Sequence, residues 1–271
     1  MSLYSDKYLF AFDFDGTLAD KQGVVSYALM NALAQLQRDG HLVAIIMGRV
    51  RLHARIISLF GLDAYAICNG GVIYSGEKIL KQQLIPLLDL QSLIELLPLG
   101  AEVHLIGHDT VFTNNKKFIL ETVNKKTRPL DEFSNQPVFS IQAVHPKCRD
   151  IRSVVSESYP NYRVTGGKAP FEEFISIELN ACKGEALQTI ADHFSLKISQ
   201  TIAFGNDIND ITLLEKAGLP IQIGMVSEVS TAAKIHLEDR NMLLTWLHHW
   251  IRKNSQSTSK PNISPDEKVS I

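Results

Sequence analysis

A short apolar run that stops at two carboxylates constrains this chain most. Tyr8-Leu-Phe-Ala-Phe12 has almost no polar alternation, the pattern of a strand buried on both faces. It ends at Asp13-Phe14-Asp15-Gly16-Thr17, where the glycine marks a turn. A strand covered on both faces belongs to a parallel sheet with helices on each side, and such sheets bind ligands beyond their carboxyl ends. Asp13 and Asp15 would stand there. Two carboxylates so close repel unless a proton or cation lies between them, and Mg²⁺ suits hard oxygen ligands. A carboxylate is already ionised at neutral pH, so it can attack phosphorus without a base to activate it.

The rest of the pattern agrees with such a sheet. Val25, Ala28, Leu29, Ala32, Leu33 and Leu36 share one face of a helix expected over residues 24–38, closed by Gly40. A second buried strand, Leu42-Val-Ala-Ile-Ile46, ends at Met47-Gly48-Arg49. A helix near 51–59 and a strand near 64–68 lead to Cys68-Asn69-Gly70-Gly71. Strand and helix alternate again after Lys183: a helix, the strand Thr201–Phe204, then Gly205-Asn206-Asp207-Ile208-Asn209-Asp210. The expected fold is α/β, a doubly wound, Rossmann-like parallel sheet. Residues 80–178 differ in texture, with helices near 87–97, 116–124 and 147–157 and strands near 102–107, 137–143 and 173–179. They read as an inserted α+β domain, entered after the hairpin-like Tyr74-Ser-Gly-Glu-Lys78. The expected division is a discontinuous core, 1–79 and 179–252, an inserted domain, 80–178, and a disordered polar tail, 253–271.

Composition excludes several classes. With 45% apolar residues in 271, the chain can bury a sizeable core. Its 27 basic and 29 acidic residues leave no electrostatic footprint for nucleic acid. No apolar run reaches the ~18 residues of a membrane span. The opening MSLYSDKYLF has no basic segment followed by a long apolar stretch, so no secretory leader is expected. Cys68, Cys148 and Cys182 form no CxxC pair and cannot all join as disulfides, which points to a reduced, cytoplasmic setting.

Phe12-Asp13-Phe14-Asp15-Gly16-Thr17-Leu18 resembles the first signature of the haloacid dehalogenase superfamily. The resemblance implies that Asp13 is the nucleophile, forming an aspartyl-phosphate, and that Asp15 is general acid and then base. An aspartate two positions after the nucleophile is the phosphatase form of that motif. Lys183, in Asn180-Ala-Cys-Lys-Gly184, looks like the third-motif lysine, which neutralises the nucleophile and the phosphoryl group. Gly205 to Asp210 looks like the fourth motif, usually Gly-Asp-x-x-Asn-Asp. Here a usual metal-binding aspartate becomes Asn206, with Asp207 next door. Either could contact Mg²⁺ beside Asp13 and Asp15, with Asp210 supporting or ligating through water and Asn209 near the phosphate. The second motif departs further, with Met47 where the family has serine or threonine. Losing one such donor costs on the order of 3 kcal/mol at a transition state. The Gly48 amide and Arg49 remain as phosphate contacts.

From Arg49 to Lys183 the chain is long enough for a cap between the second and third motifs. That placement, the length and Asn69-Gly70-Gly71 resemble the Cof-like branch, whose members mostly hydrolyse small phosphate esters, especially sugar phosphates. His104, His108, Asn114 and Lys168 are cap residues that could reach a substrate. The expected function is thus Mg²⁺-dependent hydrolysis of a small phosphorylated metabolite by a monomer or homodimer. Met47 and Asn206 keep open a phosphate-ligand binder without turnover. A phosphotransferase or mutase of the same fold is a third reading.

Overall fold

The computed structural model describes residues 7–20, 22–52, 54–115, 126–168 and 171–255. The chain opens with β1 (Leu9–Phe12), α1 (Tyr27–Arg38), β2 (Leu42–Ile46), α2 (Ala54–Phe60) and β3 (Ala64–Ile67). A hairpin, β4 (Val72–Ser75) and β5 (Lys78–Gln82), follows. The chain then leaves for α3 (Leu87–Glu95), β6 (Glu102–Ile106), β7 (Thr110–Thr113), β8 (Lys126–Pro129) and β9 (Ser140–Val144). This excursion closes with α4 (Cys148–Ser158), β10 (Tyr162–Lys168) and β11 (Phe171–Leu179). The return runs through α5 (Lys183–His193), β12 (Thr201–Gly205), α6 (Ile211–Lys216) and β13 (Leu219–Ile223). It ends with α7 (Ser227–Ser230), β14 (Ile235–Leu237) and α8 (Arg240–Ser255).

Two sheets result. The larger has the order β14-β13-β12-β1-β2-β3-β4-β5, parallel from β14 to β3, with the hairpin β4–β5 antiparallel at its edge. β1 is flanked by β2 and β12, so the connections leave it in opposite directions; this is the crevice where such sheets bind ligands. The apolar run supplies both faces by alternation. Phe10 and Phe12 join Leu29, Leu33, Leu243 and Leu247 on one side, and Leu9 and Ala11 join Leu187, Ile190 and Leu213 on the other. Ser26 caps α1, its hydroxyl accepting from the Leu29 amide at 3.3 Å, so the helix starts three residues later than its apolar face suggests.

The smaller sheet has the order β10-β11-β9-β6-β7-β8. Its apolar face, including Val103, Leu105, Ile141, Ile175 and Ile177, packs on Leu90 and Leu93 of α3 and Val155 of α4. The sequence reading misses β7, β8, β10 and β14. β10 carries Gly166-Gly167 in a bulge, so its alternation breaks where a strand would be recognised.

Three expected boundaries shift. β5 spans residue 80 and pairs with β4, so the chain leaves the large sheet only after Gln82. Leu179 still pairs with Tyr162 in the small sheet. The helix α8 runs to Ser255, three residues into the stretch expected as tail; its packed apolar face, with Trp246, Leu247, Trp250 and Ile251, ends just before that stretch. Residues 256–271 and the helix expected near 116–124 lie outside the described residues. Among the described residues, no helix is long and apolar enough to cross a membrane.

Candidate active site

Asp13 follows β1 directly and is 5% exposed. Lys183, the first residue of α5, is fully buried, and its Nζ lies 2.6 Å from Asp13 Oδ1 and 2.6 Å from Asp210 Oδ1. Residues separated by 170 positions in sequence thus meet beyond the carboxyl end of one strand. Burial is the main force pushing the Asp13 carboxyl up to about 7; the Asp210 charge adds to it and Lys183 opposes it. For Lys183, burial alone would pull its pKa down, but the two carboxylates outweigh that and hold it above the ordinary lysine range. One buried cation therefore faces two buried carboxylates.

Gly205 permits this packing. A Cβ there would stand 2.5 Å from that of Asp210. Asp210 Oδ2 accepts from the amides of Asn206 and Asp207 at 2.8 and 3.0 Å, so both its oxygens are engaged. Asp207 is exposed and caps the following turn, accepting from the Ile208 amide at 2.7 Å. Of the two neighbours, it is Asn206 that faces Asp13. One end of its amide lies 3.1 Å from Asp13 Oδ2, 2.9 Å from the Asp15 carbonyl oxygen and 2.8 Å from Thr17 Oγ1.

Asp15 divides its work. Its carbonyl faces Asn206, while its carboxylate forms a two-pronged pair with Arg49, Nη2 to Oδ1 at 2.5 Å and Nε to Oδ2 at 2.7 Å. Both side chains are half exposed. Arg49, expected at the phosphate, is thus placed against Asp15 and 5.3 Å over the Phe14 ring.

Met47 is fully buried among Phe12, Phe14 and Leu18 and offers the site only its backbone. Its carbonyl accepts from the Asn69 amide at 2.9 Å. Beside Gly48 stand two side-chain amides. A Cβ on Gly48 would meet Asn69 Oδ1 at 3.2 Å and Asn209 Nδ2 at 3.3 Å. Asn209 Nδ2 donates to Asn69 Oδ1 at 3.2 Å, and Asn69 Nδ2 donates to Thr165 Oγ1 of β10 at 3.1 Å. Asn69 is the residue that sequence reasoning left without a role. Cys68 and Asn69 both have positive φ, and the Asn-Gly-Gly turn is the one signal that marked the place.

The small sheet turns a polar face toward this loop. Thr165, Ser176, Gln142 and His104 form one cross-strand row, and Arg163 pairs with Glu178 in the next. Glu178 is fully buried; Ser140 and Ser176 donate to its Oε1, and Asn69 also bonds to it. Arg163 Nη2 donates to the Asn209 carbonyl at 3.4 Å. Of the cap candidates, His104 is buried beside Glu102 at 2.9 Å, with burial lowering its pKa. His108 meets the Tyr74 hydroxyl at 3.3 Å. Asn114 is spent on the backbone of Val103 and Ala101 and does not reach the site. The Lys168 side chain lies outside the described part.

Residues 10–241 match the haloacid dehalogenase-like hydrolase family. The chain belongs to that family. Among its curated relatives, a putative phosphatase of Haemophilus influenzae is 27% identical over 82% of this chain and 89% of its own length. An HMP-PP phosphatase of Yersinia pestis is 25% identical over 90% of this chain and 95% of its own. Solved structures share the fold. A haloacid dehalogenase-like hydrolase from Bacteroides thetaiotaomicron superposes with a TM-score of 0.77 at 16% identity, covering 90% of this chain and all of that one. A subclass IIB sugar phosphatase of the superfamily does so with 0.72 at 22%, covering 90% and 99%.

The donors around Asp13 suit a divalent cation. Among the described residues no three of His, Cys, Asp and Glu gather into a metal-holding group. Asp13 Oδ2, the Asp15 carbonyl and the Asn206 amide nevertheless converge, with 3.1 and 2.9 Å between them. Mg²⁺ with bonds of about 2.1 Å spaces adjacent ligand oxygens by about 3 Å, and it needs only one or two carboxylates besides water and phosphate. The surplus negative charge of Asp13 and Asp210 over Lys183 favours a cation at the same place.

Proposed function

We propose that this hydrolase is a phosphatase that cleaves a small phosphate ester through an aspartyl-phosphate on Asp13. The observation that carries the reading is the Lys183 bridge, 2.6 Å to Asp13 and to Asp210, with Asp15 two residues on. Asp13 attacks phosphorus in line, and the ester P–O bond breaks as Asp15 gives its proton to the leaving alcohol. Water then attacks the phosphoryl group, Asp15 takes its proton, and phosphate leaves with Asp13 restored. Asp15 starts in the grip of Arg49, so its turn as acid requires that pair to open. Lys183 holds charge on the nucleophile and the equatorial oxygens, and the amides of Gly48, Asn209 and Asn69 stand where a phosphoryl oxygen would need donors. Mg²⁺, held by Asp13, the Asp15 carbonyl and Asn206, would neutralise phosphoryl charge.

The six-stranded sheet with α3 and α4 acts as the cap, residues 83–179, covering the leaving group and excluding water. A sugar phosphate or a similar small phosphorylated metabolite is the substrate class. The sugar phosphatase and the HMP-PP phosphatase among the similar proteins support this, as does the polar face above Asn69. The test is phosphate release with Mg²⁺ across sugar phosphates, nucleotides and cofactor phosphates, wild type against Asp13→Asn. Turnover that falls at least about a thousandfold in the variant is expected. Wild-type rates in Asp13→Asn would end the reading, and affinity without turnover in the wild type would favour the binder.

A further inference from the structure

Asn206 turns its side chain toward Asp13, and its amide has two unlike ends. Gly16 lets it approach: φ there is +84°, and a Cβ would lie 2.6 Å from the Asn206 amide nitrogen. The end that faces the nucleophile has three oxygen neighbours, Asp13 Oδ2, the Asp15 carbonyl and Thr17 Oγ1. Two of these, the carboxylate and the carbonyl, can only accept. With nitrogen turned inward, the amide donates to Asp13 Oδ2 at 3.1 Å and to the Asp15 carbonyl at 2.9 Å. With oxygen turned inward, Oδ1 accepts from the fully buried Thr17 hydroxyl at 2.8 Å and joins the other two as a ligand face for a hard cation. Either orientation leaves Thr17 satisfied, because a hydroxyl can donate or accept.

We propose that Asn206 is a two-way amide switch at the Mg²⁺ position, closing the site by hydrogen bonds in one orientation and completing a metal site in the other. The inference rests on the metal reading given above. An aspartate in this place has only the second option. Without a cation it sets another negative charge against Asp13 and Asp210, which Lys183 alone must balance. With a cation it contributes a full charge where the asparagine contributes a dipole. The asparagine therefore gives a protein that is stable without Mg²⁺ and holds it more weakly, so occupancy follows the free Mg²⁺ concentration.

The experiment uses the full chain as wild type, Asn206→Asp and Asn206→Ala. Thermal melting is followed in EDTA and in rising MgCl₂, and Mg²⁺ affinity is measured by titration calorimetry. Both variants lose the inward N–H donor, so both melt below wild type in EDTA. Mg²⁺ restores only Asn206→Asp, which binds it at least about tenfold more tightly than wild type. Variants that melt with wild type in EDTA would overturn the switch, as would equal Mg²⁺ affinity in wild type and Asn206→Asp. If Mg²⁺ binds neither of those two proteins, the metal reading of the site itself falls and takes the switch with it.

Discussion

Met47 leaves β2 on the same face as Val43 and Ile45, whereas Asp13 follows β1 on the parity of Leu9 and Ala11. The two side chains thus diverge to opposite faces of the sheet. A threonine hydroxyl at position 47 would enter the apolar cluster of Phe12, Phe14 and Leu18 while the side-chain amides of Asn69 and Asn209 still flank Gly48. Met47→Thr is therefore expected to cost about 1–3 kcal/mol of stability, from lost packing and a buried hydroxyl, and to leave kcat within about threefold of wild type. Urea denaturation and steady-state rates on the best ester check both halves. A tenfold gain in rate would restore the donor role that the sequence pattern suggests for this position. Sequence order alone locates Asp13, Lys183 and Asp210, because each follows or opens a strongly patterned element. It does not show that Asp207 is spent on a cap or that Asp210 is saturated by Lys183 and two amides. Those outcomes depend on turn geometry that residue types do not encode by themselves.

Among the elements, β10 and β11 carry what the pattern hides. β11 alternates Ile175 and Ile177 inward to the cap core with Ser176 and Glu178 on the other face, so its strand character is plain in the sequence. That Glu178 becomes a fully buried carboxyl is not plain, because its cover comes from Ser140, 38 positions away, and from Asn69 across the junction. Burial pushes its pKa up to about 7, against the hydrogen bonds from the two serines. A carboxyl whose folded pKa is raised binds its proton more tightly folded than unfolded. Its stabilising contribution is full below the ordinary value near 4.5 and is lost as pH rises through about 7. Glu178→Gln should remove that loss. The variant is expected to gain on wild type as pH rises from about 5 to 8, ending more stable by up to about 3 kcal/mol. Denaturant unfolding of both proteins across that range isolates Glu178 from other titrating groups, and identical pH profiles would show that it carries no such penalty.

At the scale of the molecule, two sheets meet along a seam with unlike ends. At one end Ile106, Val111 and Phe139 of the smaller unit join the apolar cluster of the larger, and His108 meets the Tyr74 hydroxyl. At the other end the ties are polar: Asn69 to Thr165 and Glu178, and Arg163 to the Asn209 carbonyl. Apolar contacts give a fixed edge, while polar contacts exchange readily with water or with a ligand, so the seam should open at the end above Gly48. Arg163 is a cation on the smaller sheet's side of that seam. Its register partner Glu178 bears a carboxyl whose pKa is raised to about 7, and Arg152 behind it adds like charge, so a phosphate ester entering the seam meets net attraction from above. Since Arg163 belongs to the cap and not to the attacking or proton-transferring groups, Arg163→Ala should raise KM by about tenfold and leave kcat within about threefold. The salt dependence of kcat/KM should also flatten, because Arg163 is only half-buried and its field is partly screened by salt. Kinetics on the best ester at two ionic strengths decide it. A loss confined to kcat would instead place Arg163 in the chemical step, and an unchanged KM would mean the ester binds entirely from the core side of the seam.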